Sequence, residues 1–187
     1  MSVVRDSAVV VVMGVAGSGK TEVAREIAAR LSLDYVEGDA FHPPANVAKM
    51  KSGQPLVDDD RWGWLDALGA EAGRHRGGCV IACSALRAVY RQRLRASIGE
   101  RITFVFLDAP APVAAARVFA RPGHFMPASL VESQLATLER PDAEHDVITI
   151  DATLPLPAVV VAAETALSAR LRLTLSLSRA GSARPTG

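Results

Sequence analysis

The sequence predicts a single α/β domain of three layers, in which a five-stranded parallel sheet lies between helices. Its 187 residues are 49% hydrophobic, which is enough for one buried core. Short runs rich in β-branched residues alternate along the chain with longer segments of helical period. Because these runs are apolar on both faces, helices must cover both sides of the sheet.

Five short segments are predicted to be strands, with helical segments between each pair. They span residues 8–13, 35–37, 79–83, 102–107 and 147–150. No internal repeat or linker interrupts the pattern, so residues 1–167 are assigned to one domain. From Leu171 to Leu177 leucine alternates with polar residues, before an end rich in Gly, Ser and Pro. Residues 168–187 are therefore predicted to form an added edge strand or a frayed, disordered tail, and we favour the tail.

Charge and cysteine content exclude several classes of protein. Lys and Arg number 21 against 20 for Asp and Glu, so there is no basic field that would attract nucleic acid or a membrane. No segment approaches the ~20 apolar residues of a membrane span, and Asp6 argues against a signal peptide. Cys79 and Cys83 lie in an apolar run and suit reduced thiols. The sequence therefore predicts a cytoplasmic protein with a small-molecule partner.

The segment GVAGSGKT, residues 14–21, matches the P-loop pattern G-x-x-x-x-G-K-[ST], with a predicted strand before it and a predicted helix, residues 20–31, after it. Loop N–H groups and the helix dipole bind phosphate oxygens. Lys20 is expected to bridge the β- and γ-phosphates, and the Thr21 hydroxyl to hold Mg²⁺. The residues assigned to the nucleotide here are Gly14, Val15, Ala16, Gly17, Ser18, Gly19, Lys20 and Thr21. The predicted donor is a nucleoside triphosphate.

The third predicted strand distinguishes among classes of P-loop protein. It ends in Cys83 and Ser84 and not in the acid of a Walker B motif. The chain has no guanine-reading N-K-x-D motif and is too short for the additions of a motor protein. The pattern indicates a compact small-molecule kinase, which needs an acceptor pocket and a mobile lid that carries arginine.

The segment EGDAFHPPANVAKM, residues 37–50, begins where the second predicted strand ends, at the same edge of the sheet as the P-loop. Asp39 is predicted to orient the acceptor hydroxyl or to take its proton. His42, Asn46 and Lys49 are predicted to contact further oxygens. The alternative is a strand-to-helix loop in which Asp39 only caps a helix that the two prolines begin.

Four segments that follow the P-loop in order carry a family resemblance. They read GDAFHPPANVAKM, PLVDDDRWGWL, CSALRAVYRQRLR and RPGHFMPASLVESQLATLE. With them the chain resembles the gluconokinase family from about residue 9 to about residue 167. The resemblance implies an adenylate-kinase-like P-loop kinase fold and transfer of the γ-phosphoryl group of ATP to the 6-hydroxyl of D-gluconate. It also implies a homodimer.

The family pattern assigns gluconate to the segment around Asp39, His42 and Lys49, and adds Arg61. Gluconate carries one carboxylate, and Arg61 offers a guanidinium fork for it. Trp62 and Trp64 either wall the pocket or belong to the core, and we favour the core.

The segment CSALRAVYRQRLR places Ser84 at the end of the third strand and begins a helix with Arg87. Ser84 and Arg87 are candidates for contact with the sugar acid or its phosphorylated product. Arg91 shares a helix face with Arg87 and is a weaker candidate. For both arginines the alternative is a solvated helix face.

Residues 117–137 are predicted to form the lid. The segment AARVFARPGHFMP, residues 115–127, reads as a helix with Arg117 and Arg121 one turn apart, broken after Arg121 by Pro and Gly. Both arginines are expected to contact the nucleotide phosphates, with Arg121 acting in catalysis. His124 and Gln134 are candidates for the sugar hydroxyls, although His124 has the alternative of a surface loop.

Three positions depart from the family pattern, namely Gly63, Ala88 and Pro122. They bear on acceptor affinity and on the lid, not on the reaction class. Two other functions stay open: another P-loop kinase, for shikimate or a nucleoside monophosphate, and a non-catalytic ATP-binding regulator. Residues 37–50 argue against the other kinases, and a regulator needs neither Asp39 nor the lid arginines.

Overall fold

A computed structural model describes residues 8–120 and 128–181, with side chains described for residues 8–120 and 131–171. Five strands form one parallel sheet in the order β2-β3-β1-β4-β5. They are β1 (Val9–Met13), β2 (Asp34–Glu37), β3 (Cys79–Ala82), β4 (Ile102–Asp108) and β5 (Val147–Asp151). Each predicted strand is confirmed to within one residue at either end.

Seven helices within the described residues accompany the sheet. They are α1 (Lys20–Leu31), α2 (Pro44–Lys51), α3 (Asp58–Arg74), α4 (Ala88–Ile98), α5 (Ala111–Phe119), α6 (Ala128–Thr137) and α7 (Leu156–Gly181). Two short 3₁₀ helices span Gly38–Phe41 and Gly99–Arg101. No helix in the described part of the chain is long and apolar enough to cross a membrane.

The two faces of the sheet carry separate apolar cores, as the three-layer prediction requires. In β1, Val10 and Val12 pack with α1, α5 and α7, while Val9, Val11 and Met13 pack with α3 and α4. All five β1 residues are buried. Strands of this kind need no polar face, which is why their sequence is a continuous apolar run.

The C-terminal helix corrects the predicted end of regular structure. Helix α7 continues past Ser168 to Gly181, so residues 168–181 form neither an edge strand nor an unfolded tail. The alternation of leucine that suggested a strand also places Leu171 and Leu175 four residues apart, which is a helical spacing. No proline interrupts this stretch. Residues 182–187 lie outside the described part of the chain.

Candidate active site

A cavity of about 1160 Å³ opens at the carboxyl edge of the sheet, beside the ends of β1, β2 and β3. The P-loop lines one side of it, through residues 16, 17 and 19–21. We call the other side, lined by Asp39, His42, Asp58, Arg61, Ser84, Arg87 and Tyr90, the acceptor half. The strand order brings these segments together, because β3 lies between β1 and β2 in the sheet.

The P-loop has the predicted flanks, since β1 ends at Met13 and α1 begins at Lys20. Gly17 has φ 80° and lies so close to α5 that a Cβ there would be 2.2 Å from the carbonyl oxygen of Ala114. Only glycine fits such a position. Lys20 Nζ donates a hydrogen bond to the carbonyl of Val15 at 3.0 Å, within the loop itself.

Glu37 is a cavity residue that sequence reasoning missed. It ends β2, and its Oε2 accepts hydrogen bonds from the Thr21 hydroxyl at 3.2 Å and from the Tyr35 hydroxyl at 2.5 Å. Burial and the hydrogen bond to Glu37 raise the pKa of Tyr35 to about 12. A carboxylate and a hydroxyl are the hard oxygen ligands that Mg²⁺ prefers, so these residues fit that cation. An acid at the end of a strand beside the P-loop was the available signal.

Asp39 lies in the 3₁₀ helix that follows β2, and it lines the cavity. The segment can pass close to β3 because residue 38 is glycine, where a Cβ would lie 2.2 Å from the carbonyl oxygen of Ala82. Trp64 Nε1 donates to the carbonyl of Gly38 at 2.7 Å and anchors it. Helix α2 begins at Pro44 without any side-chain cap, so the alternative role of Asp39 as its cap is not observed.

His42 lines the cavity and stacks on Trp64, with ring centroids 4.1 Å apart. Burial lowers the pKa of His42, because it disfavours the charged imidazolium. Trp64 is buried among the core residues, as the favoured interpretation predicted. Trp62 packs against the same core and donates to Asp59. Neither tryptophan is among the residues that line the cavity.

Asn46 and Lys49 are not among the residues that line the cavity, although the sequence grouped them with the acceptor contacts. Asn46 is buried and its Nδ2 donates to the backbone carbonyl of Asp60 at 2.6 Å. Lys49 Nζ lies 2.6 Å from the Asp60 carboxylate. The two side chains are three positions apart along α2, and both reach Asp60 of α3. Their observed role is to attach α2 to the start of α3.

Arg61 and Arg87 both line the acceptor half but differ in their partners. Arg61 Nη2 donates to the carbonyl of Leu56 at 3.4 Å, and its buried Nε has no hydrogen-bond partner. Arg87 forms ion pairs with Asp58 and Glu139. These contacts lower the pKa of both carboxyl groups; for Asp58 the largest contribution is a hydrogen bond from Tyr90, and for Glu139 it is one from the backbone N–H of residue 88. Arg87 is therefore not a free solvated arginine.

Arg91 belongs to the protein interior and not to the acceptor half. Its side chain is fully buried and donates to the carbonyls of Ala85 and Leu86 and to the Glu144 carboxylate. Ser84 does line the cavity, and its carbonyl accepts the N–H of Gly14 at 3.3 Å.

Two residues of the segment predicted to form the lid, Arg117 and Gln134, lie within the described part of the chain and occupy different places. Arg117 lines a second cavity of about 340 Å³, together with P-loop residues, Glu22 and four apolar side chains, Val23, Leu154, Leu156 and Val159. Gln134, on α6, lines the main cavity, and its Oε1 accepts the Ala16 N–H at 2.7 Å. Arg121, His124 and Pro122 lie outside the described residues.

The other departures from the family pattern are accommodated without strain. A Cβ at Gly63 would meet no atom within 4 Å. Ala88 begins α4, and its N–H donates to Glu139 at 2.7 Å.

Comparison with known proteins gives consistent matches. A sequence family described as an AAA domain matches residues 9–141. A gluconokinase from Gluconobacter oxydans is 51% identical to this chain, over 75% of the chain and 80% of the relative. The chain belongs to the gluconokinase family. A thermoresistant gluconokinase from Escherichia coli is 42% identical, over 83% of the chain and 90% of its own length.

Solved structures agree with this membership of the gluconokinase family. A gluconokinase from Sinorhizobium meliloti superposes with a TM-score of 0.86 at 45% identity, covering 93% of this chain and 98% of that one. A shikimate kinase from Acinetobacter baumannii matches with a TM-score of 0.55 at 18% identity, which shows a shared fold alone. The predicted fold class and the family resemblance are both confirmed.

Proposed function

We propose that this chain is a gluconokinase, which transfers the γ-phosphoryl group of ATP to the 6-hydroxyl of D-gluconate and forms 6-phospho-D-gluconate and ADP. The observation that carries the proposal is one cavity lined both by the P-loop and by Asp39 and Arg61. A phosphoryl donor and a hydroxy acid placed in it would be neighbours. The relatives named gluconokinases support the same reaction.

On the donor side, the N–H groups of residues 14–21 and the positive end of α1 bind the ATP phosphates. Lys20 exchanges its bond to the Val15 carbonyl for the β- and γ-phosphates. The Thr21 hydroxyl and the Glu37 carboxylate would hold Mg²⁺, which would neutralise charge on the phosphoryl oxygens.

The second cavity suits the adenine base. Its apolar side chains bury a flat ring, and P-loop residues 17–19 connect it to the phosphate site. Arg117, which lines this cavity, and Arg121 add positive charge at the nucleotide phosphates during transfer.

On the acceptor side, Asp39 holds the 6-hydroxyl in line with the γ-phosphoryl group and accepts its proton late in the transfer. Arg61 binds the gluconate carboxylate, because its guanidinium carries a buried Nε without a partner. Hydroxyls along the sugar acid contact neutral or polar side chains around the cavity. These are His42, Ser84, Arg87 and Gln134, and His124, which lies outside the described residues, is proposed as a further contact.

Three further properties belong to this proposal. The reaction requires Mg²⁺, the enzyme acts as a homodimer, and it is located in the cytoplasm. The paired oxygens of Thr21 and Glu37 support the first, and the family resemblance supports the second. The third is supported by Cys79 and Cys83, which are both buried free thiols.

A coupled assay of ADP release tests the reaction. We expect ADP formation that depends on D-gluconate, with far lower rates on glucose, shikimate, glycerate and nucleoside monophosphates. Equal rates on glucose would refute an acceptor site for a carboxylate. ADP release at the same rate without any acceptor would indicate an ATPase instead.

A further inference from the structure

Tyr90 connects the two arginines of the acceptor half, and no role for it follows from the sequence pattern. Its ring is buried and lies 5.4 Å from Cζ of Arg61 and 5.7 Å from Cζ of Arg87, measured to the ring centroid. An edge-to-face contact with Trp62, at 5.9 Å between centroids, fixes the ring against the core. Both guanidinium groups are thus placed by one aromatic side chain.

The hydroxyl of Tyr90 acts on a third residue, Asp58. It donates to Asp58 Oδ1 at 2.5 Å, while Asp58 Oδ2 accepts from Nη1 of Arg87. Both oxygens of this carboxylate are therefore engaged, one by Tyr90 and the other by Arg87. Asp58 also interacts electrostatically with Arg61, whose charge contributes to the lowered pKa of the Asp58 carboxyl group.

The result is an unequal distribution of charge between the two arginines. Arg87 has two carboxylate partners, Asp58 and Glu139. Within the part of the chain whose side chains the structure describes, no carboxylate forms an ion pair with Arg61. The charge of Arg87 is therefore balanced by carboxylates of the protein, whereas the charge of Arg61 is left to interact with a ligand.

We propose that Tyr90 is a positioning residue that sets the preference for a carboxylate acceptor, because its hydroxyl holds Asp58 on Arg87 and so prevents Asp58 from occupying Arg61. Asp58 is the internal competitor of the substrate carboxylate. Without the Tyr90 hydroxyl, one oxygen of Asp58 loses its donor, and the other arginine of the acceptor half is Arg61. This inference rests on the proposed gluconokinase activity.

The test compares Tyr90→Phe, Asp58→Asn and the double variant in the intact chain. Tyr90→Phe keeps the ring and removes only the hydroxyl. We expect KM for D-gluconate to rise about tenfold, as the loss of one charge-assisted hydrogen bond predicts. KM for ATP and kcat should stay within about twofold, since the P-loop is untouched. D-glucitol, which has a CH₂OH group in place of the carboxylate and otherwise the same hydroxyls, should react at an unchanged kcat/KM.

The double variant decides between positioning and general structure. If Asp58 competes for Arg61, adding Asp58→Asn to Tyr90→Phe removes the competing charge and restores KM for D-gluconate to within about threefold of the original value. A hydroxyl that only stabilises the fold would show no such rescue. Unchanged KM in Tyr90→Phe, an equal loss on D-glucitol, loss of folding in Tyr90→Phe, or no rescue would each overturn the proposal.

Different results would contradict the gluconokinase activity and the role of Tyr90. If the unmodified enzyme forms no ADP with D-gluconate, the proposed function fails. If the unmodified enzyme is active and the Tyr90→Phe variant matches it, only the role of Tyr90 fails. Calorimetric titration with D-gluconate gives a second measurement that does not depend on turnover.

Discussion

The P-loop and the acceptor half of the same cavity are built from different kinds of contact. The P-loop is eight consecutive residues whose backbone forms the binding surface, and its shape depends on glycines such as Gly17. The acceptor half is made of side chains from several separate elements. Asp58 and Tyr90, for example, are 32 residues apart in sequence. A site made of backbone can be recognised in a short motif, whereas a site made of distant side chains cannot.

The largest expected effect comes from a substitution in the acceptor half, at the residue proposed to contact the reacting hydroxyl of the substrate. Asp39→Asn should lower kcat by about 10² to 10⁴, because an amide can hold the hydroxyl of the acceptor but cannot take its proton. ATP affinity should not change, since residues 14–21 remain intact. Single-turnover kinetics and nucleotide titration measure the two quantities.

A matched control for that variant is Asp59→Asn. Asp59 contacts only Trp62 Nε1, at 3.2 Å, among its described hydrogen bonds, and an amide oxygen can accept the same bond. Normal turnover with weakened binding of Mg²⁺·ATP in Asp39→Asn would place Asp39 in the metal shell instead.

The second prediction concerns a substitution that disturbs the backbone conformation of the P-loop. Gly17→Ala should lower the melting temperature of the free enzyme by about 2 to 12 °C, the range for a strained backbone of about 1–3 kcal/mol. Nucleotide binding should weaken by at least about tenfold, because the loop must shift away from α5. Differential scanning fluorimetry and titration with ADP measure these changes.

The variant Gly19→Ala separates the cost of a positive φ from the cost of a steric clash in the same loop. Gly19 also has a positive φ, 95°, but a Cβ there would meet no atom within 4 Å. Its variant should lose less thermal stability than Gly17→Ala. Equal losses would mean that φ alone determines the cost and that the contact with Ala114 is unimportant.

The contrast between motif and distant side chains also explains what could be predicted from the sequence. The strands and the P-loop were predicted closely, because apolar runs and a contiguous motif are local signals. The residues around Asp39 were placed at the correct edge, since a parallel sheet collects strand ends there. Tyr90 and Asp58 could not be found, because their hydrogen bond depends on how α3 and α4 pack. Asn46 and Lys49 were grouped with the cavity by proximity in sequence, although both side chains contact Asp60.

The third prediction concerns the carboxylate contact. Arg61→Lys keeps the charge but removes the guanidinium fork, so KM for D-gluconate should rise about tenfold while KM for ATP stays constant. The control is Arg93→Lys, because Arg93 forms a half-exposed ion pair with Asp66 and does not line the cavity. An unaltered KM in Arg61→Lys would mean that the gluconate carboxylate binds another cation of the cavity.

The smallest expected effect tests whether Lys49 belongs to the acceptor half at all. Lys49 pairs with Asp60 at 2.6 Å, and this hydrogen bond is the largest cause of the lowered pKa of the Asp60 carboxyl group. Lys49→Met should lower the melting temperature by less than about 4 °C, as expected for a single partly exposed pair, and leave KM for D-gluconate within about twofold.

The pH dependence of Lys49→Met follows from the direction of the Asp60 pKa shift. A carboxyl group whose pKa is lowered in the folded state stabilises the fold above its ordinary pKa, and that contribution is lost as pH falls through the lowered value. The difference in melting temperature between Lys49→Met and the unmodified enzyme should therefore be largest near neutral pH and shrink towards acid pH. Asp60→Asn should show the same loss, and the double variant should lose little more than either alone. A large rise in KM for D-gluconate at unchanged stability would instead make Lys49 a substrate ligand, and would show that α2 moves towards the cavity when the acceptor binds.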